Sequence, residues 1–284
     1  MTTTTIKNTT SIKYVLAIAA ALMALVLACG VCPGTASASP ASDEQADAAG
    51  LSTQADTQTV YVITGTKSVA DWGIKSTVTS KYTYNSNGLL TTINSSSNMD
   101  GDSTTTYTYN GTNLKGVQLK QQDESAPNIV TTFTTNKKGQ ITKAVQKSNY
   151  TATYTATYKS GLVKKIVCKE EVGSGDETSV TKDTFKYTYK NGRMATRTAY
   201  GTKIKYGYDA QGNMNDIGGS KYKNTYNSKK QLTKTTLSEE GYTYKVTYTY
   251  KAIKVKASVA EKVQAQQWAI INNNKNFALG IDQA

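Results

Sequence analysis

The chain has 284 residues, with 33 Lys and Arg against 20 Asp and Glu, a formal net charge of +13, and no His. The lack of His excludes the commonest general base and the commonest protein metal ligand. Tyr, Thr and Val are plentiful while Phe and Pro are scarce, so the composition favours strands over helices in one large all-β domain or two smaller ones.

The N-terminus has the pattern of an export signal. Lys7 and Lys13 precede an apolar run over residues 14–28, and a small-x-small site follows that ends at Ala38. This pattern predicts a signal peptide over 1–38, cleaved after Ala38, and a secreted or cell-surface bacterial protein. Two alternatives stay open: an uncleaved anchor, or a lipoprotein processed before Cys29.

Residues 39–58 form the next segment, with four acidic residues, no basic ones and few large apolar side chains. Such a segment cannot build a core, so it is predicted to be a disordered acidic linker. Since the signal contributes +2 and the linker −4, residues 59–284 carry a net charge of +15. After cleavage Cys168 is the one remaining cysteine, and it is predicted to be a buried strand residue without a disulfide.

The folded part is predicted to begin with a strand over residues 59–64, which alternate Val and Ile with Thr and Tyr. This strand is expected at the edge of the sheet, and Trp72 is expected in the connection after it.

One phrase then recurs along the chain. Residues 82–90 read YTYNSNGLL and residues 206–214 read YGYDAQGNM. A mean spacing of about 24 residues between units is typical of stacked supersecondary units. The second aromatic position of each unit, or the residue that replaces it, falls at Tyr84, Tyr109, Thr135, Tyr158, Tyr189, Tyr208, Tyr226 and Tyr250.

Each unit predicts a β-hairpin. Aromatic-x-aromatic places two rings on one face of a strand, Asn, Asp or Lys begins a turn, and Gly supplies a positive φ. About eight hairpins imply about sixteen antiparallel strands. The predicted fold is therefore all-β, an elongated twisted sheet of hairpins that stays open or curls into a shell or barrel.

The C-terminal part departs from the repeat. Residues 251–259 alternate like a strand, whereas residues 260–271 lack Gly and Pro and carry an apolar stripe at helical spacing. We expect a short helix over 260–271, stopped by Asn272, Asn273 and Asn274, that covers one end of the sheet.

The repeated phrase resembles the YD repeat of Rhs-like (rearrangement hot spot) and wall-associated bacterial surface proteins, whose unit reads Tyr-Asp-x-x-Gly-x-Leu. Tyr208 and Asp209 match it fully, while Asn85 and Asn227 stand in the place of the Asp. The resemblance covers about residues 78–250 and implies exported β-hairpin spirals, linked in that family to carbohydrate or polyanion binding. This chain would be a short member without a toxin domain, and the repeat implies no catalytic residues.

No residue pattern predicts catalysis or a cofactor. The Asn98–Ser103 stretch alternates oxygen ligands, but its Gly is misplaced for a calcium loop and no later Glu completes the set. The segment at 173–177 predicts only a loop. We therefore predict a non-enzymatic protein with no catalytic residues, no metal site and no cofactor; a secreted glycan-active enzyme is the least favoured alternative.

The tyrosines and lysines are the candidate binding residues, because aromatic faces stack on sugars and Lys neutralises anionic groups. The expected partner is an anionic polysaccharide or cell-wall polymer, or a surface protein; nucleic acid is not expected, and a membrane only through the signal or lipid anchor. The rival hypothesis is a purely structural or adhesive module. The candidates are Tyr82, Tyr84, Tyr107, Tyr109, Tyr187, Tyr189, Tyr206, Tyr208, Lys164 and Lys165.

Overall fold

The computed structural model describes residues 56–123, 126–173 and 178–278, and the signal peptide, the lipidation alternative at Cys29 and most of the acidic linker lie outside them. The described chain forms sixteen antiparallel strands and one helix. The elements are β1 (Thr57–Asp71), β2 (Lys75–Tyr84), β3 (Leu90–Ser97), β4 (Gly101–Asn110), β5 (Asn113–Gln121), β6 (Ile129–Thr135), β7 (Ile141–Lys147), β8 (Thr151–Lys159), β9 (Leu162–Val172), β10 (Ser179–Lys190), β11 (Arg193–Ala199), β12 (Thr202–Tyr208), β13 (Met214–Ile217), β14 (Ser220–Tyr226), β15 (Leu232–Glu239), β16 (Tyr242–Lys256) and α1 (Ala257–Ala278).

Consecutive strands pair with one another, and the first and last strands, β1 and β16, pair to close the barrel. The all-β hairpin prediction is confirmed, and the structure decides between the two shapes left open by the sequence. The prediction that the first strand lies at an edge is wrong, because β1 pairs with both β2 and β16. Among the described strands, each therefore pairs on both sides, and none lies at the edge of a sheet.

The repeat encodes the turns at one end of this barrel. In four hairpins the turn begins at Asn85, Asn136, Asp209 or Asn227, whose side-chain oxygen accepts hydrogen bonds from the amides two and four residues later. The other three hairpins have two-residue loops, such as Gly111-Thr112 between Asn110 and Asn113. In the four longer turns, the Asn or Asp side chain therefore accepts hydrogen bonds from backbone amides of the turn.

The glycine of the phrase has the predicted positive φ in six of these seven hairpins, for example +76° at Gly88 and +83° at Gly212. In the seventh, Lys230 occupies this conformation with a φ of +59°. A residue with a Cβ is strained in this conformation, so this turn lacks the glycine that suits its backbone; Ser160 and Asn191 adopt a similar conformation beside the glycines of two shorter turns.

A second recurring device joins several strands to an earlier one. At five of the repeat positions the second tyrosine of the phrase donates its hydroxyl hydrogen to a backbone carbonyl of an earlier strand. Four of these tyrosines lie at a register shift in their own hairpin. The bonds run from Tyr84 to Ile63 (2.5 Å), Tyr109 to Leu90 (2.7 Å), Tyr158 to Ile141 (2.6 Å), Tyr208 to Met194 (2.8 Å) and Tyr250 to Leu232 (2.8 Å). We call them the tyrosine stitches. They satisfy carbonyls inside the barrel, where an unpaired polar group would be costly.

The barrel has two different ends. We call the end with the repeat turns the cap end, because α1 lies there, and the opposite end, with the connections from 71–75 round to 239–242, the loop end. The predicted helix is confirmed but is longer, since Asn272 does not stop it. The Asn272 side chain donates to the Trp268 carbonyl (2.7 Å) and accepts from the Met214 amide (3.1 Å), and these bonds override its low helix propensity. Within the described residues, no helix is long and apolar enough to span a membrane.

Side chains of α1 satisfy polar groups at the cap end. Gln267 accepts from the Ile63 amide (2.8 Å) and Gln266 from the Leu90 amide (3.1 Å), while the Trp268 indole donates to the Gly212 carbonyl (3.2 Å). Its apolar face, including Val263 at 0 % exposure, packs on β1, β16 and the turn at Leu89. The helix is thus an integral part of the folded barrel.

The core lies inside the barrel. One cluster is built on strands β7 to β11 around Tyr154, Ile166 and Phe185. A larger one spans β12 to β16 and β1 to β3, and includes the end of α1. Cys168 is a buried strand residue of β9, as predicted. Because aromatic and aliphatic side chains point inward, the outward positions are left to Thr, Ser and Lys.

Candidate functional site

The tyrosines predicted as binding residues all lie on strands whose aromatic positions face the barrel interior. Tyr82, Tyr187 and Tyr206 are 8 % exposed, and the rest of the set, Tyr84, Tyr107, Tyr109, Tyr189 and Tyr208, are half-buried. The stitches use the hydroxyls of Tyr84, Tyr109 and Tyr208. Their role in ligand binding stays a prediction, and their observed contacts are structural.

Burial also fixes the protonation state of these rings. Desolvation raises the pKa of Tyr109 to about 12, although its hydrogen bond with Gln266 acts in the opposite direction. Desolvation likewise raises the pKa of Tyr84, Tyr107 and Tyr208 far above the ordinary value for tyrosine. These hydroxyls are neutral donors at any physiological pH.

The two predicted lysines lie on the outside of the barrel. Lys164 is exposed at the register shift between β8 and β9, and its neighbour Lys165 is half-buried. Lys165 lies directly opposite the exposed Lys186 of β10, so two like charges face each other across the strand pair. We call Lys164, Lys165 and Lys186 the lysine patch. Facing like charges are destabilising in a sheet, and an anion bound between them would relieve the repulsion.

The patch belongs to a larger asymmetry of charge. If each strand is divided at its midpoint, the half of the barrel that includes α1 and the repeat turns carries eighteen basic residues whose side chains the structure describes and three acidic ones, Asp56, Asp209 and Glu261. We call this the cap half. Its basic residues are Lys81, Lys115, Lys137, Lys138, Lys143, Lys159, Lys164, Lys165, Lys186, Lys190, Arg193, Lys229, Lys230, Lys234, Lys251, Lys254, Lys256 and Lys262. Two more lysines, Lys205 and Lys223, lie at strand midpoints and belong to neither half.

The other half, the loop half, is balanced. Ten basic and ten acidic residues lie there among those that the structure describes, and its ion pairs include Lys169 with Glu171 (2.5 Å) and Lys221 with Asp216. The acidic residues are Asp71, Asp100, Asp102, Asp123, Glu170, Glu171, Asp183, Asp216, Glu239 and Glu240. The excess positive charge of the described barrel therefore belongs to the cap half.

An aromatic ring lies among these lysines on the outer surface. Tyr61 is 40 % exposed, and the Lys229 ammonium lies 5.4 Å from its ring centroid. Sequence reasoning missed Tyr61, Lys186 and Lys229 as candidates. The alternation of β1 is the signal that could have found Tyr61, because Val60 and Val62 on either side of it point into the core.

The described residues show no arrangement typical of an enzyme or metal centre. No group of three or more Cys, Asp and Glu among them could hold a metal ion. The Cys168 thiol has its pKa raised to about 12 by desolvation and by the nearby Glu170 carboxylate, so it is a poor nucleophile. Asp209 uses its carboxylate in the fold, where it accepts from Asn224 (2.6 Å) and from the Tyr226 hydroxyl.

No protein-family model matches this chain. No curated protein matches it either. Among solved structures, a porin-like protein from Bacteroides uniformis is similar at 14 % identity and a TM-score of 0.46, covering 66 % of this chain and 98 % of that one.

Two further similarities are to a TcdB2-TccC3-Cdc42 complex and to TcdB2-TccC3 without its hypervariable C-terminal region. Their identities are 12 % and 13 %, with TM-scores of 0.21 and 0.22. Each alignment covers 57 % of this chain but only 12 % of the other. These likenesses are too slight to support an argument on function, and the resemblance to YD-repeat proteins stays a prediction.

Proposed function

We propose that this protein is an exported, non-enzymatic barrel of the bacterial envelope that binds an anionic glycan or cell-wall polymer through the lysines of its cap half. The observation that carries the proposal is the excess of basic over acidic residues there, set against the balanced loop half. A folded protein gains nothing in stability from such an excess, because like charges repel.

The arrangement of the lysines suits a repeating polyanion better than a small ligand. Lys164 and Lys165 are consecutive residues at the register shift of β9, and Lys186 lies opposite Lys165 on β10, where neighbouring strands are about 4.8 Å apart. The three lysines therefore form a cluster of positive charge on which successive anionic groups of one polymer could bind. On the other side of the barrel, Tyr61 beside Lys229 offers an aromatic face for a sugar ring.

Retention on immobilised heparin and on teichoic-acid resin tests this proposal. We expect the exported protein to remain bound in salt of about 0.5 M, where isolated surface charges are strongly screened and only several simultaneous contacts persist. A neutral glycan resin of the same matrix is the control. Elution at physiological salt, or equal retention on the neutral resin, would overturn the proposal.

Export and retention are part of the same proposal. A signal peptide cleaved after Ala38 releases the protein, which its charge would then hold at the cell surface, whereas processing before Cys29 would attach it by lipid. The intact mass of the protein purified from cells and from medium distinguishes a start at Ser39 from a lipidated Cys29.

A purely structural or adhesive module is the second candidate, favoured by apolar side chains exposed at the loop end. That function requires a protein partner whose binding does not weaken as salt is raised.

A further inference from the structure

The exposed apolar side chains of the barrel are concentrated at one end. In the described chain, the six large apolar side chains with the greatest exposure, between 47 % and 61 %, all lie at the loop end. We call them the apolar rim: Trp72, Ile74, Met99, Val172, Val180 and Tyr200. Exposed apolar groups gathered in one place mark an interaction surface, whereas scattered ones do not.

The rim has two arcs on opposite sides of the ring. Trp72, Ile74 and Met99 lie in the connections from β1 to β4. The other three lie at the loop ends of β9 and β10 and in the connection from β11 to β12, about eight strands away in a sixteen-strand ring. Trp72 stacks on Tyr242 with ring centroids 6.4 Å apart, and Tyr200 meets Phe185 edge-on at 5.7 Å. These contacts hold two of the exposed rings in fixed positions.

Acidic groups accompany the rim. Asp71 precedes Trp72, Asp100 follows Met99, Glu171 precedes Val172, Glu239 ends β15 and Glu240 follows it. In the described loop-end connections and the two strand residues next to each, eight acidic residues stand against five basic ones, so this end has a small net negative charge. This charge favours a partner that presents positive charge together with apolar surface over a second loop end or an anionic membrane.

We propose that the occupant of the apolar rim is the cap end of a second copy of this chain, so that barrels stack head to tail. The cap end presents Lys137 and Lys138 in one turn and Lys229 and Lys230 in another, and all four are exposed. These turns join β6 to β7 and β14 to β15, so they too lie on opposite sides of the ring. Lysine ammonium groups pair with the acidic residues, while their methylene stems and cation–π contacts cover the apolar side chains.

The size of the ends limits the strength of this contact. Sixteen strands about 4.8 Å apart and tilted by about 40° give a circumference of roughly 100 Å, which encloses at most roughly 800 Å². A stable interface of standard size buries about 800 Å² per partner, so complete coverage of the end only reaches that size. Stacking is therefore expected to be weak, salt-sensitive and concentration-dependent.

The contact is heterologous, because different surfaces of the two copies meet. A pair of stacked copies still has one free rim and one free cap end. Association therefore continues into an open-ended series rather than stopping at a dimer. A symmetric contact would stop at two copies, so the largest oligomer that forms distinguishes the two kinds of contact.

The test uses two variants of the full exported protein, each with one disabled end. The rim variant carries Trp72→Ser and Ile74→Ser; the cap variant carries Lys137→Glu, Lys138→Glu, Lys229→Glu and Lys230→Glu. Sedimentation velocity at about 100 µM compares mass distributions in about 0.05 M and about 0.5 M salt. Circular dichroism and thermal midpoints confirm that both variants are folded.

We expect the wild type to form a series of oligomers at low salt that dissociates at high salt, with each variant alone monomeric. A mixture of the two variants has one working rim and one working cap end, and should give a one-to-one dimer and nothing larger. Monomeric wild type at low salt, undiminished self-association of the rim variant, or a mixture without dimer would each overturn the proposal. Flotation of the wild type with neutral phosphatidylcholine vesicles, lost in the rim variant, would also overturn it by identifying lipid as the occupant.

The proposal is independent of polyanion binding. The rim variant keeps every lysine of the lysine patch, so it should bind heparin and teichoic acid as the wild type does even when stacking is lost. Failure of one proposal is thus distinguishable from failure of the other.

Discussion

The cap end and the loop end of the barrel are built from the same strands but follow different rules. At the cap end the turns share one length or a shortened version of it: the four longer turns have the same Asx bonds, six of the seven have a glycine with positive φ, and tyrosine stitches recur. At the loop end the connections vary from two residues (Tyr200-Gly201) to the stretch between Gln121 and Ile129, and apolar side chains are exposed. The repeated phrase therefore specifies one end and leaves the other free to vary.

This difference separates substitutions that change stability from those that change self-association. The cap end buries its aromatic rings and satisfies its polar groups, so substitutions there are expected to change the free energy of unfolding. The rim of the loop end makes few contacts of its own, and substitutions there are expected to change association without unfolding the barrel.

Alkaline pH should produce the largest effect, because it acts on all the buried tyrosines at once. Tyrosine in the unfolded chain ionises near pH 10, whereas desolvation raises the pKa of Tyr84, Tyr208, Tyr244 and Tyr250 in the fold far above that value. Above pH 10 the unfolded chain thus binds fewer protons than the folded one, and stability falls as pH rises. The loss is about 1.4 kcal/mol per buried tyrosine at about pH 11.

Far-UV circular dichroism and tyrosinate absorbance, followed together from about pH 9 to 12, check this expectation. Ionisation and unfolding should occur in one cooperative step. Smooth tyrosinate formation near pH 10 with the strands intact would contradict the buried, stitched arrangement.

Loss of a single stitch should have a smaller effect. Tyr109→Phe removes the hydroxyl that donates to the Leu90 carbonyl and accepts from Gln266 (2.9 Å), and leaves both groups without that partner. We expect a loss of about 1–3 kcal/mol in the free energy of unfolding, measured by urea denaturation.

Tyr61→Phe is the matched control for this substitution. Its ring lies on the outer surface, so the change should stay within about 0.5 kcal/mol. Equal effects at the two positions would show that the stitches do not stabilise the cap end.

Asp209 and Asn136 occupy equivalent turn positions and allow a finer comparison. Asp209→Asn keeps the oxygen Oδ1, which accepts from the Gln211 and Asn213 amides. It replaces Oδ2, which accepts from both Asn224 and Tyr226, with an NH₂ group that can only donate. We expect a loss of about 1–2 kcal/mol. Asn136→Asp keeps its turn bonds to the Lys138 and Gln140 amides and loses only the exposed bond from its side-chain amide to Gln140 Oε1, so its loss should stay below about 0.5 kcal/mol. The reverse ranking of the two variants in urea denaturation would contradict this expectation.

Lys230→Gly should stabilise the barrel slightly. It would give the seventh turn the glycine that the other six have at a positive φ, for a gain of about 0.5 kcal/mol after the greater freedom of glycine in the unfolded chain is counted. Lys229→Gly removes the same charge one residue earlier without this benefit, so the thermal midpoints of the two variants should differ in sign relative to the wild type.

The sequence predicted most of the cap end, because its information is local. Aromatic-x-aromatic, Asx and Gly lie within nine residues, and their spacing indicates strand, turn and strand without reference to the rest of the chain. The pairing of β1 with β16 joins residues nearly 200 apart, such as Val60 and Ile253, and no local pattern reveals it. The same holds for Asn272, whose bond to the Met214 amide keeps the helix going where propensity predicts a stop.

The candidate surface was predictable only in part. Lys164 and Lys165 stand together in the sequence, but Lys186 joins them through the β9–β10 register. The separation of charge between the two halves becomes visible only when strands that run in opposite directions are placed side by side. Nearly all the described acidic residues then lie in the loop half, where they balance the basic residues, and the cap half keeps its excess of lysines.

The central claim is that anionic polymers bind the cap half and not the barrel as a whole. The patch variant carries three substitutions that remove the lysine patch: Lys164→Glu, Lys165→Glu and Lys186→Glu. The control variant makes the same charge change at three exposed positions of the loop half: Lys120→Glu, Lys147→Glu and Lys203→Glu. The measurement is the salt concentration at which each elutes from heparin and teichoic-acid resin. The account predicts a clear loss of retention for the patch variant, with the control variant eluting close to the wild type. Equal losses in the two variants would show that binding follows net charge alone, and would contradict the account.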